Sequence, residues 1–314
     1  MRALVTGATG FVGRYLVSAL RAGGTAVFEC GGPTDGPGAF ALDLEDPATI
    51  AAALDLARPD LVFHLAAQTF VPESFALPVA TYRTNVIGTA NLANAVREYA
   101  QDRAMPRIVF TSSAEVYGSR PPGDMPLRET EMPAPATPYA ASKLGAEAIV
   151  LAEARGLGLD VVIARAFNHI GPGQNERFVV PSFARQLAQI AAGASPLLLV
   201  GNLNAVRDFL DVRDVVAAYL ALARDGARGE IYNVCSGAGR TVRDVLRELI
   251  AIAGVPVEVR EDPERMRPLD VPVFVGSAQK LEAATGWRPQ IPLSQSLRDI
   301  YRAAKKPENS GATS

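Results

Sequence analysis

A chain of 314 residues is long enough for one large domain or two modest ones, and it buries roughly 75% of the surface its unfolded form exposes, so its core needs no disulfide or metal staples. With 48% hydrophobic and 20% charged residues it falls among globular proteins, outside the range of bulk disorder. Lys plus Arg (31) against Asp plus Glu (33) leaves a net charge of −2, which excludes the broad basic field needed to hold nucleic acid or an anionic membrane surface. Any polyanion recognised by such a chain is small and met by individually placed arginines. Two cysteines (Cys30, Cys235) and two histidines (His64, His169) occur without a CxxC spacing, which argues against a disulfide framework or a metal site and suits a reducing compartment. The first apolar run starts at Ala3 and meets a Gly-rich turn after Thr6, too short for a signal segment or a span. The expectation is a cytoplasmic protein.

Strand-like and helix-like runs alternate through the first half. Ala3 to Thr6 reads as a strand and Phe11 to Arg21 as a helix, with Phe11, Val12, Leu16, Val17 and Leu20 at helical spacing. Ala26 to Phe28 and Phe40 to Leu42 read as strands, the latter ending at Asp43. A helix opens at Asp46-Pro47 and runs through Leu56. Leu61 to Leu65, Arg107 to Ser112 and Asp160 to Ala164 are further strands, separated by helices over Asn85–Ala100 and Tyr139–Ala154. This order predicts an α/β fold with a doubly wound parallel sheet of the Rossmann type and a smaller, mostly C-terminal substrate-binding lid. From about Phe167 prolines and glycines break the pattern. Asp208-Phe209-Leu210, Ile231 to Val234 and Val273 to Val275 still look like strands. The expected division is a dinucleotide-binding domain over 1–166 and 206–235, a nucleotide-sugar-binding domain over 167–205 and 236–304, and a flexible tail over 305–314.

Between the first strand and helix lies Gly7-Ala8-Thr9-Gly10-Phe11-Val12-Gly13. Glycines let such a turn be tight, let the backbone approach a pyrophosphate and let the helix pack closely on the strand, with its N-terminus aimed at the phosphates. Gly7, Thr9, Gly10, Phe11, Val12 and Gly13 are therefore expected to bind a dinucleotide. The end of the second strand reads Glu29-Cys30-Gly31-Gly32-Pro33, with no Arg for a 2′-phosphate and an acid earlier than a ribose-binding one should stand. Both NADPH and NADH stay open. Asp43, with Leu44 beside it, is placed to meet the adenine.

Tyr139-Ala140-Ala141-Ser142-Lys143 puts a phenol and an ammonium four residues apart, on one helix face. Hydride transfer to a ketone needs a proton donor for the nascent alkoxide, and a tyrosine serves when a nearby cation lowers its pKa. Upstream, Thr111-Ser112-Ser113-Ala114-Glu115-Val116-Tyr117-Gly118 supplies hydroxyls to fix the carbonyl from the other side. His64 and His169 receive no chemical role, Trp287 reads as core, and Cys235 as a small buried hydrophobe.

With the glycine loop, His64-Leu65-Ala66-Ala67-Gln68, Asn85-Val86-Ile87-Gly88-Thr89, Ser113 to Gly118, Tyr139/Lys143 and Gly286-Trp287, nearly the whole chain resembles the extended short-chain dehydrogenases/reductases, in their nucleotide-sugar-modifying branch. The resemblance implies that Leu65, Ala66 and Ala67 line the cofactor and that Ser113, four residues before Tyr117, joins Tyr139 and Lys143 in catalysis. Asn168 to Gln174, Phe178-Val179-Val180, Gly201 to Phe209 and Arg265-Met266-Arg267-Pro268 are similar to the GDP-mannose-derived subgroup. Arg207 and Arg267 are suitable forks for a diphosphate. Asn168 and Gln68 are further substrate candidates, and the backbone at Val179 is placed for the guanine edge.

The subgroup implies NAD(P)H-dependent reduction of the C4 ketone of GDP-4-keto-6-deoxy-D-mannose to GDP-D-rhamnose. The alternatives are GDP-mannose 4,6-dehydration and another epimerase or reductase of the family. Dehydratases resemble this chain at Glu115, where they use a Glu as the C5 base, so Glu115 counts as catalytic. Ser113 and the missing Arg pair after the second strand favour reduction. A non-catalytic NAD(P) sensor is the reading of another class, and the retained Tyr139 and Lys143 weigh against it. Family resemblance also implies a homodimer through a four-helix bundle made by helices 85–100 and 139–154.

Overall fold

The computed structural model describes residues 1–32, 39–265 and 271–305. The first half runs β1 (Arg2–Thr6), α1 (Phe11–Ala22), β2 (Ala26–Gly31), β3 (Phe40–Ala41), α2 (Pro47–Ala57) and β4 (Leu61–His64). Two short helices follow, α3 (Val71–Ala76) and α4 (Pro78–Tyr82). A π-helical turn (Arg83–Ile87) then leads into α5 (Gly88–Tyr99). β5 (Arg107–Ser113), α6 (Pro138–Gly156) and β6 (Val161–Ala166) complete this half. The helix expected from Asn85 therefore begins as a π-turn, a wider coil that re-aims side chains and frequently marks functional positions.

The second half contains β7 (Asn168–Ile170), α7 (Val179–Ala191), β8 (Leu197–Val200), β9 (Val206–Asp211), α8 (Val212–Asp225) and β10 (Ile231–Val234). It ends with β11 (Gly239–Thr241), α9 (Val242–Ala253), β12 (Glu258–Glu261), β13 (Val273–Phe274), α10 (Gln279–Thr285) and α11 (Leu293–Ala304).

Seven strands form one parallel sheet in the order β3-β2-β1-β4-β5-β6-β10. Both faces are covered, as parallel sheets require. Strand alternation sends Ala3, Val5, Phe63, Val109 and Val162 into a cluster with Leu16 and Leu20 of α1 and Val215, Tyr219 and Leu222 of α8. The intervening residues Leu4, Val62, Ile108, Phe110 and Ile163 meet Ile50 and Leu54 of α2, Leu92 and Val96 of α5, and Ala146 and Val150 of α6. Each such aliphatic side chain contributes about 1.5–3 kcal/mol on burial. The strand order reverses between β1 and β4, and the crevice outside the carboxyl ends of these two strands is where doubly wound folds bind their ligands.

β9, expected with the dinucleotide-binding part, lies outside the large sheet. It pairs with β7, β11 and β13 in a small sheet, while β10 joins the main sheet and α8 packs on it, as does Leu281 of α10. A third cluster, with Phe183, Leu187, Leu198, Val245, Leu249, Leu297 and Tyr301, supports that smaller lobe. Trp287 is buried, its indole N–H donating to the Asp214 carbonyl (3.1 Å), and Cys235 is fully buried. Of the expected tail only Lys305 lies within the described residues.

Candidate active site

The glycine turn is shaped by backbone crowding. Gly7 has φ +69°, and a Cβ there would stand 2.8 Å from the Ala66 amide nitrogen. A Cβ on Gly13 would collide with the Gly7 carbonyl oxygen, so only glycine lets α1 pack this close to β1. Gly10 caps α1 without a side chain, which leaves the first helical N–H groups facing outward, and Phe11 is its first helical residue. Val12 and Leu65, expected to touch the cofactor, are partly buried and pack against the core cluster.

Beside the turn is an open cavity of about 210 Å3 lined by Gly7, Cys30, Gly31, Gly32, Leu42, Asp43, Leu44, Glu45, Ala66 and Thr84. Four expected cofactor residues, Gly7, Asp43, Leu44 and Ala66, thus share one wall. Thr9 and Ala67 flank the same two loops. Leu44 lies so close to Gly88 of α5 that a Cβ there would come within 2.7 Å of it.

His64, given no chemical role above, wires these loops together. It is fully enclosed, with Nδ1 2.8 Å from Thr6 Oγ1 and Nε2 3.0 Å from Thr89 Oγ1. Thr89 donates its only hydroxyl proton to the Asn85 carbonyl (2.7 Å), so its oxygen accepts from His64 Nε2–H. Thr6 accordingly donates to Nδ1, while its oxygen accepts the Ala66 N–H (3.2 Å). Burial, helped by the Lys143 charge, lowers the His64 pKa to about 3 and keeps the ring neutral. Asn85 extends the chain: its Oδ1 accepts from Gln68 N (2.8 Å), and its Nδ2 donates to the Gln68 carbonyl and to Ser142 Oγ (both 2.9 Å). Gln68 is pinned through its backbone, and its Oε1 is buried with no protein partner.

The catalytic candidates converge at the ends of β5 and α6. Thr137 caps α6 by accepting from Ala140 N (3.0 Å), and Pro138 fills the first turn, so Tyr139 stands at the very start of the helix. Its amide donates to Ser74 Oγ (3.2 Å). Ser113, the last residue of β5, accepts from Glu115 N (3.2 Å), and its side chain is hydrogen-bonded to the Tyr139 phenol. Lys143 Nζ donates to the Thr111 carbonyl (2.8 Å).

Burial pushes the Tyr139 phenol above the ordinary tyrosine range, the negative charge of Glu115 adds to this, and only the Ser113 bond opposes it. Lys143, expected to pull the phenol down, is not among the groups that shift it. Burial lowers Lys143 itself to about 8, with the Glu147 charge acting the other way. At neutral pH the site holds a protonated phenol and a protonated amine, the state in which a tyrosine donates.

Beneath this group is an ion pair not anticipated from the sequence. Glu147, one further turn along the face of Tyr139 and Lys143, accepts from Arg165 Nε (2.9 Å), Arg165 Nη2 (2.7 Å) and Ser112 Oγ (2.5 Å). Both partners are buried. The pair fixes β5 and β6 against α6 and so sets Ser113 opposite Tyr139. The i, i+4, i+8 series Tyr139, Lys143, Glu147 was its one signal in the sequence.

The expected substrate residues are scattered over the smaller lobe. Asn168 is exposed at the start of β7, one strand away from Arg207 on β9. Arg207 Nη1 donates to the Val206 (2.9 Å) and Val271 (2.6 Å) carbonyls. Next to it, buried Asp208 accepts from Ser236 N (2.7 Å), Gly237 N (2.9 Å) and Gly276 N (3.2 Å), which fastens β9 to the loops after β10 and β13. Val179 opens α7, and Arg267 lies outside the described residues. His169 stacks on Phe11 (centroids 6.1 Å apart) with Nδ1 3.1 Å from the Phe167 carbonyl, a bridge between lobe and glycine turn.

A doubly wound parallel sheet with a glycine turn at its switch point and Ser, Tyr and Lys at the adjoining strand end defines a dehydrogenase/reductase of the extended short-chain class. Within that class the chain belongs to the GDP-mannose 4,6 dehydratase family, whose model matches residues 38–300. It is 41% identical over 300 residues to GDP-6-deoxy-D-mannose reductase of Pseudomonas aeruginosa, covering 95% of each protein. Identity to GDP-6-deoxy-D-talose 4-dehydrogenase of Aggregatibacter actinomycetemcomitans is 32% over 281 residues, 90% of each. The solved structure of RMD from Pseudomonas aeruginosa complexed with NADPH superposes with a TM-score of 0.87 at 38% identity, over 97% of this chain and 99% of that one. The crowded glycine turn, the outward N–H groups of α1 and the adjoining cavity fit a nicotinamide dinucleotide.

Proposed function

We propose that this chain reduces the C4 ketone of GDP-4-keto-6-deoxy-D-mannose to GDP-D-rhamnose. The observation that carries the reading is the protonated Tyr139 phenol, buried and bonded to Ser113 at the end of β5, one helical turn from Lys143. Bound NAD(P)H supplies the hydride. Gly7, Gly10, Gly13 and the backbone from Leu65 to Ala67 hold the dinucleotide, with Asp43 and Leu44 at its adenosine end. Ser113 hydrogen-bonds the sugar C4 oxygen, and Tyr139 delivers its proton to that oxygen as the alcohol forms. Lys143 keeps a positive charge close to the site, which favours the phenolate left behind. Arg207 and Arg267 grip the diphosphate, Val179 meets the guanine, and Asn168 and Gln68 hydrogen-bond the sugar, the unpartnered Gln68 Oε1 serving as acceptor.

Glu115 gives a second reading some support, because its charge already reaches the Tyr139 phenol, where a dehydratase needs a base. One experiment separates the two. Incubation with the 4-keto sugar and reduced cofactor, followed by chromatography, yields GDP-D-rhamnose under the first reading. Consumption of GDP-mannose without added reductant supports dehydration instead.

The same proposal includes a cytoplasmic homodimer. Among the described residues no helix is long and apolar enough to cross a membrane. Phe75, Leu77, Val79, Tyr82 and Ile87, each 38–63% exposed, line the segment leading into α5, which together with α6 supplies the expected bundle. Sedimentation is expected to give twice the monomer mass, and a monomer alone contradicts the assembly.

A further inference from the structure

Tyr117 ends the 3-10 turn that follows Ser113, and the proposed chemistry leaves it without a part. It is fully buried and anchored on two sides. Its ring lies under the Arg165 guanidinium (4.8 Å to the centroid), beside the Glu147 pair that braces β5. Its hydroxyl donates to Asn233 Oδ1 (2.7 Å) on β10, the edge strand of the large sheet. Asn233 carries the connection onward, its Nδ2 donating to the Leu127 carbonyl (3.0 Å). Leu127 in turn pairs with the segment after β13: its N–H donates to the Val275 carbonyl, and its carbonyl accepts from Ser277 N (both 2.9 Å). Between those two residues, Gly276 N donates to the Asp208 carboxylate (3.2 Å), next to Arg207.

A second route runs through rings. Tyr117 packs against Phe167 (centroids 6.4 Å apart) and Phe167 against Phe274 (5.2 Å), and Phe274 on β13 is the register partner of Arg207 on β9. The packing is close, since a Cβ on Gly276 would stand 2.5 Å from the Phe167 ring. These three rings belong to an apolar cluster separate from those of the large sheet and the smaller lobe. Both routes start at Tyr117 and end beside Arg207.

We infer that Tyr117 is a positioning residue that sets the separation between the diphosphate grip of Arg207 and the pair Ser113 and Tyr139; the inference rests on the reading of this chain as a GDP-ketosugar reductase. A nucleotide sugar is held at one end through its diphosphate and reacts at the other through its C4 ketone. Both ends fit only if the groups that meet them keep a fixed distance, and a misplacement of about 1 Å at the reacting carbon costs about a hundredfold in rate. Buried, fully paired polar groups and close-packed rings keep such a distance, because each has one low-energy arrangement. Tyr117 acts through the Ser113 turn at one end and through β13 and Asp208 at the other.

Tyr117→Phe removes one hydroxyl and keeps the ring. It is expected to lower kcat for the GDP-ketosugar about tenfold, with KM and dinucleotide affinity within about twofold of wild type. A merely structural role gives the same loss whether or not the diphosphate is held. Positioning does not: in an Arg207→Ala background the sugar is no longer tied to the lobe, and the Tyr117→Phe loss in kcat should shrink to about twofold or less. A lowered folded fraction would affect both comparisons alike. Phe274→Leu breaks the ring route instead and is expected to show the same dependence on Arg207, so the test survives a Tyr117→Phe protein that does not fold. A loss that shrinks without Arg207 in either cycle supports the inference. Losses in both cycles that match with and without Arg207, to within the roughly twofold expected of independent sites, overturn it while the proposed reductase stands. Absence of ketone reduction by the wild-type protein overturns the reductase reading and the inference with it.

Discussion

The large parallel sheet and the smaller lobe build their parts of the site in different ways. In the sheet, function is set by the backbone: a turn where a Cβ will not fit at Gly13, strand ends brought level by parallel pairing, and a buried histidine whose two bonds run in fixed directions. In the lobe, Asn168 and Arg207 stand on short strands, Arg207 held by the Val206 and Val271 carbonyls and its neighbour, the buried Asp208, by backbone amides. The first arrangement fixes where a dinucleotide and a proton donor stand. On the proposed function, the second leaves the sugar-nucleotide contacts to a few side chains.

The contrast makes changes at the sheet affect turnover and changes in the lobe affect substrate affinity. The largest effect is expected at Tyr139. Tyr139→Phe should cut kcat by about a hundredfold or more with dinucleotide affinity unchanged, because the phenol donates a proton but holds no phosphate. Near wild-type kcat in that variant removes Tyr139 from the role. Next comes Arg207→Ala, which should raise KM for the GDP-sugar about tenfold or more through loss of a charge-assisted contact, with kcat much less affected. A kcat loss with KM unchanged would erase the distinction between the two regions.

Stability against pH sharpens the account of the sheet. His64 has a folded-state pKa of about 3 against an ordinary 6.5, so the unfolded chain binds the extra proton first. Its neutral ring is therefore fully tolerated above pH 6.5, and stability falls as pH drops from 6.5 towards 3, by up to about 1.4 kcal/mol per pH unit from this group. Denaturant titrations between pH 7 and 5 should show that slope, and His64→Asn should reduce it by one proton's worth. The smallest effect concerns Lys143. With its pKa lowered to about 8, activity is expected to decline above that pH as the amine loses its charge. Lys143→Arg, which stays charged, should remove that alkaline limb from whatever activity it retains.

What could be read in the sequence follows the same division. The glycine turn and the Tyr139–Lys143 pair are local patterns, a bend and one helical turn, and both stand where expected. The His64 chain had no local signal, since its partners Thr6 and Thr89 lie 58 and 25 residues away. Helices α3 and α4 escaped because their apolar residues Phe75, Leu77 and Val79 face outward and give no burial period, while Pro72 and Pro78 break the run. The π-turn shifted the phase of the helix expected from Asn85. β9 looked like a strand of the main sheet because its sequence is apolar and β-rich; its true partners, β7, β11 and β13, lie about 30 to 70 residues away along the chain.

Isotope transfer tests the central claim most directly. Incubation of the protein with GDP-4-keto-6-deoxy-D-mannose and reduced cofactor deuterated at the transferable nicotinamide position is expected to give a product with a single deuterium, at sugar C4. Product without deuterium, or with label placed at C5 or C6, contradicts it.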